Sequence, residues 1–209
     1  MNTPNFLAAA SAGFAATLTQ AADAPAVSRL VAEIQSIDDK VRGPAWQNAG
    51  PVGAPAVKPL AGLLTHADFE IARSAKRALY QIVRHAGRPG SEKAAGAVER
   101  ELLAALAADR TAAAKRDLLW MLSEIGGSGA VSPIAALLTD VELREDARCV
   151  LQRIPGSKPI GALKKALAKA PADFQAALAD ALRARGQKVR GHPSLKLAPT
   201  KQTSVKAEA

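Results

Sequence analysis

The sequence is poor in aromatic residues, and this shortage narrows the range of folds. Aromatic side chains make up only 3% of the 209 residues, whereas 48% of the residues are hydrophobic and many of those are alanine. Chains of this composition favour close helix–helix packing over sheets, because alanine has the highest helix propensity. The sequence also lacks an alternating β-branched run long enough to predict a strand. We therefore expect an all-α protein.

The residues that usually carry chemistry are scarce as well. A single cysteine, Cys149, excludes an internal disulfide and any metal site built from several cysteines. It lies in an apolar helical stretch, which favours a core position over a nucleophile. The three histidines are far apart, and the sequence has no glycine-rich phosphate loop, nucleophile elbow or HExxH motif. The sequence therefore predicts no catalytic residue, no metal site and no cofactor.

The first residues are almost uncharged. Residues 1–28 contain one charged side chain, Asp23, and residues 6–18 form an apolar, alanine-rich run. This run is too short to span a bilayer, so no integral membrane segment is expected in the mature chain. Residues 1–25 fit either a signal peptide or an alanine-rich helical cap on the following domain. Export to the periplasm or the exterior is slightly favoured over a cytoplasmic location.

Positive charge is in excess, and part of it lies at the carboxyl end. The net charge is +9, from 28 Lys and Arg residues against 19 Asp and Glu residues. Residues 187–209 include two prolines and little periodicity, which predicts a basic, flexible tail. Such a tail either binds nucleic acid or anionic surfaces or only keeps the chain soluble, and we favour the second interpretation.

One ten-residue segment, which we call the repeated phrase, occurs twice in the sequence. Ala56-Val57-Lys58-Pro59-Leu60-Ala61-Gly62-Leu63-Leu64-Thr65 returns as Ala130-Val131-Ser132-Pro133-Ile134-Ala135-Ala136-Leu137-Leu138-Thr139, with seven of the ten positions identical. Self-similarity of this kind indicates a solenoid, in which each unit buries its apolar face against its neighbours.

A second pattern gives the number of units. Apolar residues at steps of three and four predict helices around Leu79, Leu122, Leu151 and Leu182, and a weaker stripe begins at Val41. Another apolar helix is predicted before each one, over residues 27–35, 54–65, 92–107, 130–138 and 159–168. Residues 26–186 thus form about five helix pairs. The longer connection at residues 84–90 is either an insertion on a binding face or an extended helix with a tolerated loop, and we favour the second interpretation.

These helix pairs resemble a known repeat family. The motif Ala-Val-x-Pro-Leu/Ile-Ala-x-Leu-Leu in the first helix, and the run from Leu143 to Ile154 in the second, resemble HEAT-like repeats. The closest resemblance is to the short HEAT-like units first grouped with phycobilisome lyases. It implies an α-solenoid whose second helices line a concave, partner-binding surface. It also implies that residues such as Lys115 and Arg144 bridge adjacent repeats.

Six side chains on the predicted second helices lie off the apolar stripes and are candidates for partner binding. Arginine and tryptophan are the residues most often found as binding hot spots. The bland alternatives are that the tryptophan packs on the neighbouring repeat and that the cations are solvated. The candidates are Arg73, Arg77, Lys115, Arg116, Trp120 and Arg144.

The sequence supports two functions of different classes. The favoured one is a monomeric, non-enzymatic scaffold that binds an unidentified protein partner on its concave surface. The alternative is nucleic-acid binding along a basic concave groove, as in the HEAT-like solenoids that are DNA glycosylases for alkylated bases. An accessory role in chromophore attachment, which the lyase resemblance raises, has no candidate residues.

Overall fold

The computed structural model describes residues 24–195, and all regular structure in this range is helical. The predicted signal segment lies outside the described residues except for residues 24 and 25, and so does the tail beyond residue 195. Helix α1 covers residues 24–34. The others are α2 (Asp39–Gln47), α3 (Val57–Gly62), α4 (Phe69–Ala86), α5 (Glu92–Ala107), α6 (Ala112–Ile125), α7 (Val131–Ala136), α8 (Arg144–Arg153), α9 (Ser157–Leu167) and α10 (Ala172–Ala184).

Consecutive helices form five pairs, and the pairs stack into an α-solenoid as the sequence predicts. The second helices of the pairs make one continuous layer, in which α2, α4, α6, α8 and α10 each pack on the next. In the layer of first helices, α3 packs on α5 and α7 packs on α9. We call the solvent-exposed side of the second-helix layer the second-helix face.

The core lies between the two layers, where the predicted apolar stripes meet. Leu79, Leu122 and Leu151 are completely buried, and Leu182 is nearly so. Full burial of one such leucine stabilises the fold by about 1.5–3 kcal/mol. The repeated phrase is part of this core, because Leu60 and its counterpart Ile134 are also completely buried. The apolar positions of the phrase therefore supply core packing.

The repeated phrase does not form a single regular helix. In both copies only six residues are α-helical, and a tighter 3-10 turn follows at Leu63–Thr65 and at Leu137–Thr139. The prolines Pro59 and Pro133 sit in the first helical turn, where a missing N–H costs no hydrogen bond. The 3-10 turns satisfy backbone groups at the ends of these short helices.

Aspartates stand at or just before the starts of several second helices. Asp68 accepts hydrogen bonds from the backbone N–H groups of Glu70 and Ile71, at 2.8 and 3.2 Å. Asp140 does the same for Glu142 and Leu143 before α8. These carboxylates satisfy donors that the first helical turn would otherwise leave unpaired. The longer connection is an extension of α4, which has 18 residues and ends at Ala86.

Arg185 interrupts the apolar stripe of the last unit, and the structure gives the reason. Its guanidinium donates hydrogen bonds to the backbone carbonyls of Gln152 and Gly156 at 3.0 and 2.8 Å, and to those of Leu151 and Ile154. These carbonyls lie at and just beyond the end of α8, which has few donors of its own there. Arg185 therefore ties the fifth unit to the fourth.

Replacing Arg185 tests whether its hydrogen bonds to the end of α8 stabilise the fold more than an exposed arginine does. We expect Arg185→Ala to lower the free energy of unfolding by about 2 kcal/mol, because hydrogen bonds from a charged donor contribute about 1.5–3 kcal/mol. Arg185→Lys should lose about half as much, since lysine keeps the charge but not the planar fork. Urea unfolding measures both, with the exposed Arg190→Ala as the control. Equal stability of R185A and R190A would show that no such tie exists.

Candidate functional site

The six predicted binding residues all lie on the second helices. Arg73 and Arg77 are on α4, Lys115, Arg116 and Trp120 are on α6, and Arg144 begins α8. Four of them are exposed, and Lys115 and Arg144 are half-buried. The structure thus brings them to one layer, but it gives them different partners.

Ion pairs join α4 to α6, α6 to α8 and α8 to α10. Lys76 of α4 pairs with Asp117 of α6 at 2.5 Å, and Arg84 lies 3.8 Å from Glu124. The next two gaps are crossed in the same direction along the solenoid. Arg116 of α6 lies 3.5 Å from Asp146 of α8, and Arg144 of α8 pairs with Asp173 of α10 at 2.6 Å.

Arginines also cover aromatic rings of neighbouring second helices. The Arg77 guanidinium lies 5.1 Å from the ring centre of Trp46 on α2, and that of Arg144 lies 4.9 Å from Phe174 on α10. A guanidinium over an aromatic ring is attracted by the negative potential of the ring face. Arg77 and Arg144, both predicted as binding residues, therefore also bind adjacent repeats together.

The remaining predicted cations differ from these. Arg73 pairs with Glu70 and lies 5.8 Å from the Phe69 ring, all within one helix. Arg116 donates a second bond to the backbone carbonyl of Glu142 at 2.9 Å. Among the five cationic candidates, Lys115 alone has neither an ion pair nor a stacked aromatic ring within the described residues.

Trp120 occupies a separate position, beside a hollow on the second-helix face. Its side chain is 49% exposed, and the Arg153 guanidinium from α8 lies 5.5 Å from the ring centre. Arg153 is itself held by the backbone carbonyl of Ser123, at 3.2 Å. One side of the indole is thus fixed by the next repeat while the other remains accessible.

The hollow beside Trp120 has a volume of about 460 Å³ and lies among α6, α8 and α10. Arg148 stands in its wall, where Glu145 and Gln152 hold the guanidinium at 2.8 and 2.9 Å. Cys149 also lines the hollow and is half-buried, so its predicted position in the core is wrong. Sequence reasoning missed Arg153 because its role depends on which helix stacks over Trp120, a relation that no local pattern gives.

The pKa of Tyr80 depends on the charges between α4 and α6. Burial raises the pKa of Tyr80 to about 12, and the negative charges of Asp117 and Glu124 add to this effect while Arg84 opposes it. Both carboxylates belong to the ion pairs that join α4 to α6. The hydroxyl is therefore a probe of the same contacts that hold the second and third units together.

No group of three or more His, Cys, Asp or Glu residues within residues 24–195 is arranged to hold a metal ion. In the same range, no helix is both long enough and apolar enough to cross a membrane.

Several solved structures resemble this chain to a limited degree, among them the two that follow. No family model matches the chain, and no curated protein matches it in sequence. An engineered protein is 22% identical, with a TM-score of 0.42, over 81% of this chain and 83% of that one. Computationally designed armadillo repeat proteins for modular peptide recognition are 21% identical, with a TM-score of 0.44, over 79% of this chain and 84% of theirs.

The tyrosine offers a test of the α4–α6 contact. Tyr80 is the only tyrosine in the sequence, so tyrosinate absorbance titrates this one group. In the folded protein we expect a midpoint near pH 12, because the pKa of Tyr80 is raised from 10.0 to about 12. Since the unfolded state releases this proton at lower pH, the associated stability is complete below pH 10 and is lost as pH rises towards 12.

A matched pair of variants assigns the electrostatic part of this shift. Asp117→Asn should lower the pKa of Tyr80, because it removes a neighbouring negative charge. Asp109→Asn removes an exposed carboxylate that does not act on Tyr80 and should leave the midpoint unchanged. A wild-type midpoint near that of free tyrosine would contradict the contact between α4 and α6.

Proposed function

We propose that this protein is a non-enzymatic solenoid that binds a polypeptide partner on its second-helix face, with Trp120 as the anchor. The observation that carries the proposal is the half-exposed indole, fixed on one side by Arg153 and facing a hollow of about 460 Å³. Tryptophan is among the residues most often found as hot spots of protein interfaces. Because the indole is already held in place, binding has little side-chain freedom left to remove.

The charges around the hollow suit a polypeptide partner. Both signs are present at its edge, where Arg148 and Asp180 face the same space. Arg148 is paired with Glu145 and Asp180 with Arg183, so these rim charges would act on specificity and on the rate of association rather than as groups that lack a partner. Lys115 and Arg116, one helical turn before Trp120, extend the surface along α6.

Nucleic-acid binding along the same face is the weaker candidate. A basic groove for nucleic acid needs cations that are free to replace the counterions of the phosphate backbone. On this face Lys76, Arg116 and Arg144 already pair with carboxylates of the next repeat. Those carboxylates would also repel the phosphates, so the surface favours a protein over a polyanion.

The type of repeat, the oligomeric state and the location of the protein are also proposed. We infer that the units are of the short HEAT-like type first grouped with phycobilisome lyases, since each described unit consists of two helices. The protein is proposed to act as a monomer. Export, with residues 1–25 as a signal peptide, is proposed from the apolar run at residues 6–18.

Site-specific photo-cross-linking in the host tests the binding surface. A cross-linking amino acid at Gln152, which lines the hollow beside Trp120, should trap one discrete polypeptide. We expect Trp120→Ala to abolish the adduct, because truncating a hot-spot aromatic costs at least about 2 kcal/mol, or roughly thirtyfold in affinity. The matched control is Phe69→Ala, which removes a 71% exposed aromatic from the same layer and should leave the adduct intact.

Two results would overturn the proposal. One is an adduct that survives Trp120→Ala but not Phe69→Ala, which would place the anchor elsewhere. The other is an adduct that nuclease treatment removes, which would establish the nucleic-acid alternative. In that case duplex binding by the purified protein should weaken steeply as the salt concentration rises.

A further inference from the structure

A large depression lies on the opposite layer, between the first helices of units four and five, and it extends to Arg144 and Leu178 of the second helices. It has a volume of about 960 Å³ and runs between α7 and α9. Leu138 and Leu178 contribute to its apolar floor, and small residues such as Ala135 and Gly161 line its walls. Because these side chains are short, the two helices leave space that larger residues would fill.

The two walls of this α7–α9 groove differ in charge. Residues 125–139, which include α7, contain no charged side chain. Residues 155–172, which include α9, contain four lysines and neither Asp nor Glu. Three of those lysines, Lys158, Lys165 and Lys169, line the groove, and none has an ion pair within the described residues. This wall is therefore positive and uncompensated, unlike the second-helix face.

The groove is open because it lacks an arginine that is present between the first helices of units two and three. Where α5 packs on α3, Arg110 fills the corresponding place, donating to the carbonyls of Ala105 and Ala61 at 3.0 and 2.8 Å. Arg110 stands two residues before α6, and the residue two before α10 is Ala170. Ala61 corresponds to Ala135 in the repeated phrase. Both Ala170 and Ala135 line the groove, so it lies where the arginine is missing.

We propose that the α7–α9 groove binds an amphipathic helical segment of another polypeptide, with an apolar stripe on the floor and carboxylates along α9. The walls are helices whose backbone groups are satisfied internally, so an extended segment would find no backbone partners there, whereas a helix needs none. The 11 residues of α9 are about 16 Å long, which matches about three turns of such a helix.

Charge and shape favour this occupant over others. A fatty acid has one carboxylate, whereas the lysines extend from Lys158 to Lys169 along the whole helix. A second copy of the chain would bring the same net charge of +9, and residues 196–209 are also basic in sum. Residues 1–23 contain only one acidic residue, so they would leave the lysines without partners.

Fluorescence anisotropy of the full chain with a labelled synthetic peptide tests this inference. The probe has about 14 residues, with leucines at i, i+3, i+4 and i+7 and glutamates along one flank, and its twin carries lysines instead. We expect the glutamate peptide to bind in a salt-dependent manner and the lysine peptide not to bind. Lys165→Glu should weaken binding about tenfold, and Lys93→Glu on the exposed side of α5 should not change it.

Two further variants separate shape from charge. Ala170→Arg would restore the Arg110-like tie and fill the groove while adding a positive charge. We expect it to abolish peptide binding, whereas electrostatic attraction alone predicts unchanged or tighter binding. Gly161→Leu fills the groove without any change of charge, and a Cβ at this position meets open space. Trp120→Ala lies on the other layer and should leave peptide binding unchanged, so this test is independent of the second-helix face.

The inference is overturned if Ala170→Arg and Gly161→Leu, both folded by circular dichroism, bind the peptide as the wild type does. It is also overturned if Lys93→Glu weakens binding as much as Lys165→Glu, since the attraction would then be nonspecific. Dodecanoate and phosphatidylglycerol vesicles form the last two arms. Binding of either one that Ala170→Arg abolishes, without binding of the peptide, would assign the groove to a lipid instead.

Discussion

The structure depends on one contact that recurs, the packing of each second helix on the next. A single helix pair cannot bury its apolar stripe alone, so Leu79, Leu122 and Leu151 reach complete burial only in the stack. Arginine and lysine side chains also join each second helix to the next. They do so through ion pairs such as Arg144–Asp173, through stacking such as Arg77 on Trp46, and through carbonyl contacts from Arg185.

This use of charge gives the two layers different properties. On the second-helix face Lys76, Arg116 and Arg144 pair with carboxylates of the neighbouring repeat, and Arg153 of the neighbouring repeat covers one side of the exposed Trp120. On the first-helix layer the lysines of α9 have no acidic residue beside them in sequence. Surface ion pairs contribute only about 0–1 kcal/mol each, so the apolar contact supplies most of the stability.

The fold could be predicted from the sequence because helix pairs produce a local periodicity of apolar residues. Steps of three and four around Leu122 and Leu151 define the helices, and the repeated phrase places their partners. The site could be predicted only to the level of a layer. Whether Arg116 is free or paired, or whether Cys149 faces the core or a hollow, depends on the neighbouring repeat. Such relations join residues about thirty positions apart, where no periodic signal constrains them.

Cations of the second-helix face such as Arg144 tie adjacent repeats together. A double-mutant cycle in urea unfolding measures this most directly at Arg144 and Asp173, whose contact joins α8 to α10. With Arg144→Ala, Asp173→Ala and the double variant, we expect a favourable coupling energy of about 0.5–1 kcal/mol, at the upper end for an exposed pair. A coupling energy of zero would show that the Arg144–Asp173 pair does not tie α8 to α10, and the structural role assigned to this charge would be wrong.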